Sequence, residues 1–190
     1  MRVLLRHATR LEGTVSPPGD KSISHRAAIL NAIANGKAQI FNFSTAADCA
    51  FTLRCLRSLG INIEQATSHG ESSYEAQPLV VHGRGPLGLS EPADILNAGN
   101  SGTTMRLLTG LLASQPFHSV ITGDASLRSR PMSRIVEPLT RMGARISGRG
   151  NNSLAPLAIS RGALKGIEYT LPVASAQVKS TLLLAGLFAH

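Results

Sequence analysis

Apolar positions along the chain fall into short runs of two spacings, and the runs recur in the same order. Residues 2–5 and 11–15 read as short strands entering Pro17-Pro18-Gly19, where proline fixes φ and glycine frees it. Ile23, Ala27, Ala28, Leu30, Ala32 and Ile33 then follow at helical spacing, which predicts a helix over residues 22–34 that stops at Asn35-Gly36. Residues 38–43 alternate as a strand. Cys49, Leu53, Leu56 and Leu59 give a second helix over 48–59, ended by Gly60 and followed by a strand at 61–64. A polar turn at 68–73, a strand at 74–82 and a glycine-rich loop at 83–88 complete a first unit.

A second unit opens at Asn97-Ala98-Gly99-Asn100-Ser101-Gly102-Thr103-Thr104-Met105-Arg106, where small polar residues and glycines lead into an apolar helix over 105–113. A strand at 118–122, a loop at 123–131, a helix at 133–142 ended by Gly143 and a strand at 144–147 follow. Leu139-Thr140-Arg141-Met142-Gly143-Ala144-Arg145-Ile146 parallels Leu56-Arg57-Ser58-Leu59-Gly60-Ile61-Asn62-Ile63, with glycine at the same helix-to-strand joint. A third unit starts at Pro172-Val173-Ala174-Ser175-Ala176-Gln177-Val178-Lys179-Ser180 and runs into an apolar stretch to Ala189. The pattern is a repeated strand–helix–strand–helix–strand–strand unit, over about 16–90 and 91–168, with 169–190 incomplete.

The helix starts carry the candidate chemistry. A helix N-terminus presents unpaired N–H groups and partial positive charge, so it favours anions. In Gly19-Asp20-Lys21-Ser22-Ile23-Ser24-His25-Arg26, Ser22 and Arg26 are four apart and share a face, with Lys21 at the helix mouth. The bland alternative is that Ser22 is an N-cap and both cations are solvated. A phosphate-binding P-loop is excluded, because Asp20 stands where glycine must precede Lys-Ser. Arg26, Arg106 and Lys179 occupy similar places in three helices, 80 and 73 residues apart, so the three tips are expected to meet about a pseudo-threefold axis at one phosphate or carboxylate. Asn100, Ser101, Thr103, Ser175 and Gln177 would add neutral donors, and Gly102 would let a ligand approach the backbone. Arg130, before Pro131, can hold a carboxylate in a forked pair, or be an exposed loop arginine.

Composition narrows the ligand. The 190 residues hold 19 Lys plus Arg against 11 acidic residues, a formal charge of +8 that suits an anionic partner. Nucleic acid is disfavoured, since the basic residues form no run and aromatics are only 4%. Cys49 and Cys55 read as buried free thiols of a reducing compartment, and the six scattered His give no metal site. Residues 1–10 lack a signal-peptide core, and no apolar run nears the roughly 18 residues of a membrane span, so a cytoplasmic protein without cofactor is expected. No Ser-His-Asp set or carboxylate pair is evident.

Four motifs in order, Gly19-Asp20-Lys21-Ser22-Ile23-Ser24-His25-Arg26, Asn97-Ala98-Gly99-Asn100-Ser101-Gly102-Thr103-Thr104-Met105-Arg106, Arg130-Pro131 and Ser175-Ala176-Gln177-Val178-Lys179, together resemble the 5-enolpyruvylshikimate-3-phosphate synthase family, in its bacterial branch with Ser-Ala-Gln. The resemblance runs from about residue 10 to the end. It implies an α/β (α+β) fold of repeated βαβαββ units, one lobe of the enolpyruvyl transferase fold cut within its third repeat. It also implies transfer of the carboxyvinyl group of phosphoenolpyruvate to the 5-hydroxyl of shikimate 3-phosphate, with release of phosphate, on the way to chorismate and the aromatic amino acids. By resemblance, Lys21 would contact both substrates; Ser22, Arg26, Ser175 and Gln177 would meet shikimate 3-phosphate; Arg130, Gln177 and the loop Asn100–Ser101–Gly102–Thr103 would face phosphoenolpyruvate. Arg106 matches a family arginine near that loop, and Gly102 the glycine against which glyphosate packs, so sensitivity to that herbicide is expected of the intact enzyme. UDP-N-acetylglucosamine enolpyruvyl transferase is disfavoured: its reactive cysteine falls at Ala125, and its Lys-Asn at Lys21-Ser22.

Family members are about twice this length, with two three-repeat lobes. Residues 1–15 would therefore belong with a second lobe, and 16–190 would form the shikimate 3-phosphate lobe. The family's acid–base Asp and Lys lie in the other half, so no catalytic residue is assigned in this chain. A stand-alone module that binds a phosphorylated hydroxy acid without chemistry is the alternative.

Overall fold

The computed structural model describes Leu4, His7, Thr9, Arg10 and residues 12–15, 17–65 and 78–190. The expected strand at 2–5 and turn at 68–73 lie outside these residues, apart from Leu4; of the strand expected at 11–15, the described residues 12–15 join no ladder.

The first unit contains α1 (Lys21–Ala32), β1 (Asn35–Ile40), α2 (Ala47–Ser58), β2 (Asn62–Gln65) and β3 (Leu79–Arg84). The second contains β4 (Leu96–Asn97), α3 (Gly102–Leu112), β5 (Ser119–Thr122), the single turn α4 (Ala125–Arg128), α5 (Ser133–Arg141), β6 (Arg145–Gly148) and β7 (Leu154–Ser160); α6 (Ala176–Gly186) follows. One sheet is ordered β1-β3-β2 and the other β4-β5-β7-β6. β5, β7 and β6 thus repeat the arrangement of β1, β3 and β2, antiparallel throughout. β4 adds a parallel edge beside β5, giving the second unit the full β-α-β-α-β-β order.

The glycine joints match closely. Gly60 (φ 86°) and Gly143 (φ 101°) sit in the left-handed region that a Cβ disfavours. In each, the next N–H closes back onto the helix: Ile61 to the Leu56 carbonyl at 3.1 Å and Ala144 to the Leu139 carbonyl at 2.9 Å. That six-to-one bond turns each helix into its strand.

Three expected boundaries move for local reasons. β1 begins at Asn35 rather than 38 because Gly36 pairs with Gly83, so the ladder also takes in the start of the expected 83–88 loop. The 123–131 loop contains α4, nucleated by Asp124, whose carboxylate accepts the Leu127 N–H at 2.7 Å. Helix α1 starts at Lys21 under an Asp20 cap that accepts the Ile23 N–H at 2.6 Å, so Ser22 is not the cap. Its buried face is Ser24, His25, Ala28, Ile29 and Ala32, while Ile23 is 63% exposed. The polar Ser24 is accommodated there because its hydroxyl donates to the Asp20 carbonyl at 2.8 Å and accepts the Ser44 N–H at 2.9 Å.

The core is aliphatic and centred on α3, whose Met105, Leu107, Leu108, Leu111 and Leu112 are fully enclosed. Each such side chain contributes roughly 1.5–3 kcal/mol by leaving water. α3 packs most extensively on α6 and also against α1, α2 and α5. Cys49 and Cys55 are buried and unpaired, and burial pushes the Cys55 thiol up to about 12. No helix among the described residues is long and apolar enough to cross a membrane.

Candidate anion site at the helix starts

Capping decides which groups at the start of α3 remain available. Ser101, fully buried, accepts the Thr104 N–H on its hydroxyl at 3.1 Å, and its carbonyl accepts the Met105 N–H at 3.1 Å. Because it is fully enclosed, the Ser101 hydroxyl serves the helix and faces no ligand, while the N–H groups of Gly102 and Thr103 have no partner within the helix. Ser175 also caps α6, accepting the Val178 N–H at 3.3 Å, but it is only half-buried and keeps its own hydroxyl proton to give.

Two polar clusters converge on this end of α3. Gln177, in the first turn of α6, accepts from Arg106 Nη1 on Oε1 at 2.8 Å and donates from Nε2 to Thr103 Oγ1 at 2.9 Å. The amide orientation follows from chemistry, since a guanidinium only donates, and Thr103 keeps its own hydroxyl proton free. On the other flank, Asn100 donates from Nδ2 to Asp124 Oδ2 at 2.7 Å and accepts from Arg130 Nη2 on Oδ1 at 2.5 Å. Asn100 thus aims Arg130 and holds it close to Asp124, whose carboxyl is kept low chiefly by the Asn100 hydrogen bond and the Leu127 N–H.

Gly102 lies between the arginines. A Cβ there would stand 2.6 Å from Arg106 Nη1 and 3.5 Å from Arg130 Nη1, so glycine leaves the space that both guanidiniums enter. Burial, and then the like charges of Arg130 and Arg134, lower the Arg106 pKa. Cations held together this way repel, and an anion placed among them relieves the repulsion.

The start of α1 joins through α2. Lys21 Nζ donates to Asp48 Oδ2 at 3.0 Å, and the Asp48 carbonyl lies 3.2 Å from Thr104 Oγ1. Lys21 and Ser22 are exposed, and Arg26, half-buried, shares a small hollow with Leu30 of α1 and Ser180 and Leu183 of α6.

The equivalence expected of three cations does not hold. Arg26, Arg106 and Lys179 lie six, five and four residues past their caps, and each residue turns a helix by about 100°. Lys179, two residues from Gln177, consequently emerges on the opposite side of α6, in an apolar hollow of about 800 Å³ beside Met142, Tyr169 and Leu171. Asp48, Asp124 and Arg134 belong to the polar surroundings and are absent from the sequence expectation. Asp124 carried a usable signal, a capping residue ahead of Ala125-Ser126-Leu127.

The comparisons with known proteins agree with this architecture. The family described as EPSP synthase (3-phosphoshikimate 1-carboxyvinyltransferase) matches residues 5–190. The 3-phosphoshikimate 1-carboxyvinyltransferase of Herpetosiphon aurantiacus is 55% identical over 187 residues, 98% of this chain and 41% of that protein. That of Geobacillus kaustophilus is 52% identical over 183 residues, covering 96% and 41% respectively. The solved EPSP synthase of Acinetobacter baumannii superposes with a TM-score of 0.85 at 48% identity, over 93% of this chain and 38% of its own. The chain spans about two fifths of the length of the curated relatives it matches. Matched along almost its whole sequence and folded alike, this chain belongs to the EPSP synthase family.

Proposed function

We propose that this chain is the shikimate 3-phosphate-binding part of an enzyme that transfers the carboxyvinyl group of phosphoenolpyruvate to the 5-hydroxyl of shikimate 3-phosphate. In that reaction the hydroxyl oxygen bonds to C2 of phosphoenolpyruvate, the bond from C2 to the phosphate oxygen breaks, and the hydroxyl proton leaves. One observation carries the reading: Arg106 and Arg130 flank Gly102 at the start of a long helix, with Gln177 of another helix bonded to Arg106 and Thr103. Such a cradle suits a small ligand with phosphate and carboxylate groups.

Lys21, Ser22, Arg26, Ser175 and Gln177 hold shikimate 3-phosphate. Lys21, Asn100, Gly102, Thr103, Gln177 and Arg130 face phosphoenolpyruvate, with Arg106 beside Gly102 and bonded to Gln177. Ser101, enclosed beneath the helix start, and Lys179 both stand outside the cradle. Residues 16–190 are the shikimate 3-phosphate lobe, and 1–15 go with a second lobe. The partner is the C-terminal half of the same enzyme, in the cytoplasm, and that half supplies the acid–base groups.

Calorimetric titration tests the binding half of this reading. Shikimate 3-phosphate is expected to bind the chain weakly and Lys21→Ala more weakly still, with negligible phosphate release from the two substrates until the C-terminal half is added. Ordinary enzyme turnover by the chain alone would overturn the division of labour. Absence of binding at millimolar ligand would overturn the assignment of the site, and binding with no turnover after complementation would favour a binding module.

A further inference from the structure

Beneath the anion site runs a buried chain of polar side chains that caps and substrate contacts do not account for. His25 Nδ1 lies 2.7 Å from Thr52 Oγ1, Thr52 Oγ1 lies 2.7 Å from Thr104 Oγ1, and Thr104 Oγ1 reaches Ser101 Oγ at 2.7 Å and the Asp48 carbonyl at 3.2 Å. All four side chains are fully enclosed. The chain therefore ties α1, α2 and the start of α3 together at one level.

Donor counting gives it a direction. The Asp48 carbonyl can only accept, so a Thr104 hydroxyl that serves it, or Ser101, has no proton left for Thr52. Thr52 then donates to Thr104 and accepts from His25, which places the imidazole proton on Nδ1. The reverse direction would leave His25 with a buried N–H on Nε2, an atom without a partner among the described residues, and orphaned buried donors are rare. It would also leave Thr104 nothing to give Asp48.

The far end of the chain matters for the site. Asp48 is held by its carbonyl through Thr104 and grips Lys21 with its carboxylate, while Thr104 adjoins Gly102 and Thr103 in sequence. We propose that His25, with its proton on Nδ1, is a positioning residue that acts through Thr52 and Thr104 to fix Lys21 and the Gly102–Thr103 backbone relative to one another. This rests on the reading of that site as the seat of a phosphorylated substrate.

Nitrogen-15 spectra of the labelled chain at neutral pH are expected to show His25 protonated at Nδ1 and bare at Nε2; the opposite tautomer overturns the proposal. The chain and its His25→Asn, His25→Leu and Thr52→Val variants are then titrated with shikimate 3-phosphate. Asparagine offers an N–H close to the place of Nδ1 and is expected to keep affinity within about threefold. Folded His25→Leu and Thr52→Val proteins are expected to lose about tenfold or more, and wild-type affinity in both overturns the proposal. Should His25→Leu fail to fold, the near-isosteric Thr52→Val carries the comparison. If the unsubstituted chain does not bind, the function reading fails instead, and the Gly102 and Thr103 amide resonances decide. They should move in His25→Leu and Thr52→Val and return in His25→Asn; unmoved amides in the first two overturn the positioning role.

Discussion

Gly110 of α3 and Thr181 of α6 meet backbone to backbone: a Cβ on Gly110 would stand 2.3 Å from the Thr181 carbonyl oxygen and 2.9 Å from its Cγ2. The crossing also sets the site, because the Thr181 hydroxyl donates to the Gln177 carbonyl at 2.8 Å, one turn below the Gln177 contacts to Thr103 and Arg106. Gly110→Ala is therefore expected to destabilise the chain. Overpacking costs up to about 3 kcal/mol, and the better helix propensity of alanine returns about 1 kcal/mol, for a net loss of about 2 kcal/mol. Urea unfolding followed by circular dichroism measures it, and a midpoint equal to or above the wild type would contradict so close a crossing.

Lys21 and Asp48 form an ion pair with side chains 51% and 31% exposed, which predicts a split between stability and binding. Solvent screens such a pair, so Lys21→Ala is expected to change unfolding free energy by less than about 1 kcal/mol. A charge-assisted hydrogen bond to a ligand phosphate is worth about 1.5–3 kcal/mol, so the same substitution should weaken shikimate 3-phosphate by roughly ten- to a hundredfold. A thermal melt and a titration on one protein preparation test both halves; a large stability loss with unchanged affinity would reverse the assignment.

Gly102→Ala probes the space between the arginines. The nearest obstacle to its Cβ is the end of the Arg106 side chain, which can swing aside, so folding should suffer by less than about 1 kcal/mol. Moving Arg106 breaks its bond to Gln177 and fills the ligand's approach to the helix start. On the proposed function, phosphoenolpyruvate affinity, measured with shikimate 3-phosphate saturating in the chain complemented by the proposed C-terminal half, is expected to fall by tenfold or more. Unchanged affinity would remove Gly102 from the site.

The repeat was legible in the sequence because it rests on local rules. Gly60 and Gly143 end equivalent helices with the same six-to-one bond, and apolar spacing located α2, α3 and α5 to within three residues at each end. The face of α1 was not legible. Ile23 and Leu30 look like core residues by spacing, yet the buried side carries Ser24 and His25, whose partners Ser44 and Thr52 lie 20 and 27 residues away. Spacing alone scores those positions as polar, and only the tertiary partners make them interior. The site shows the same division. Gln177, Gly102 and Arg130 stand in recognisable motifs, whereas Asp48 and Asp124 enter through side-chain bonds that span distant segments.

Among the described residues no charged group hydrogen-bonds the buried imidazole of His25, which makes it an acid-sensitive element of stability. Its pKa is lowered from 6.5 to about 4, first by burial and then by the nearby charges of Lys21 and Arg26, against an opposing effect of Asp48. Between those values the unfolded chain binds a proton that the folded chain refuses, so stability rises with pH across that window and is fully present above about 6.5. Acidification from pH 6.5 to 4 is therefore expected to remove about 3 kcal/mol through this residue. Asp124, whose carboxyl is held below its ordinary 3.8, acts in the same direction but only at lower pH, so the two effects separate. Urea unfolding at half-unit steps, followed by circular dichroism because the chain has no Trp, gives the slope. His25→Asn, which cannot titrate, should flatten it over pH 4–6.5 while leaving the fall at lower pH to which Asp124 contributes. Identical slopes in the two proteins would mean that His25 takes up its proton inside the fold at an ordinary pH.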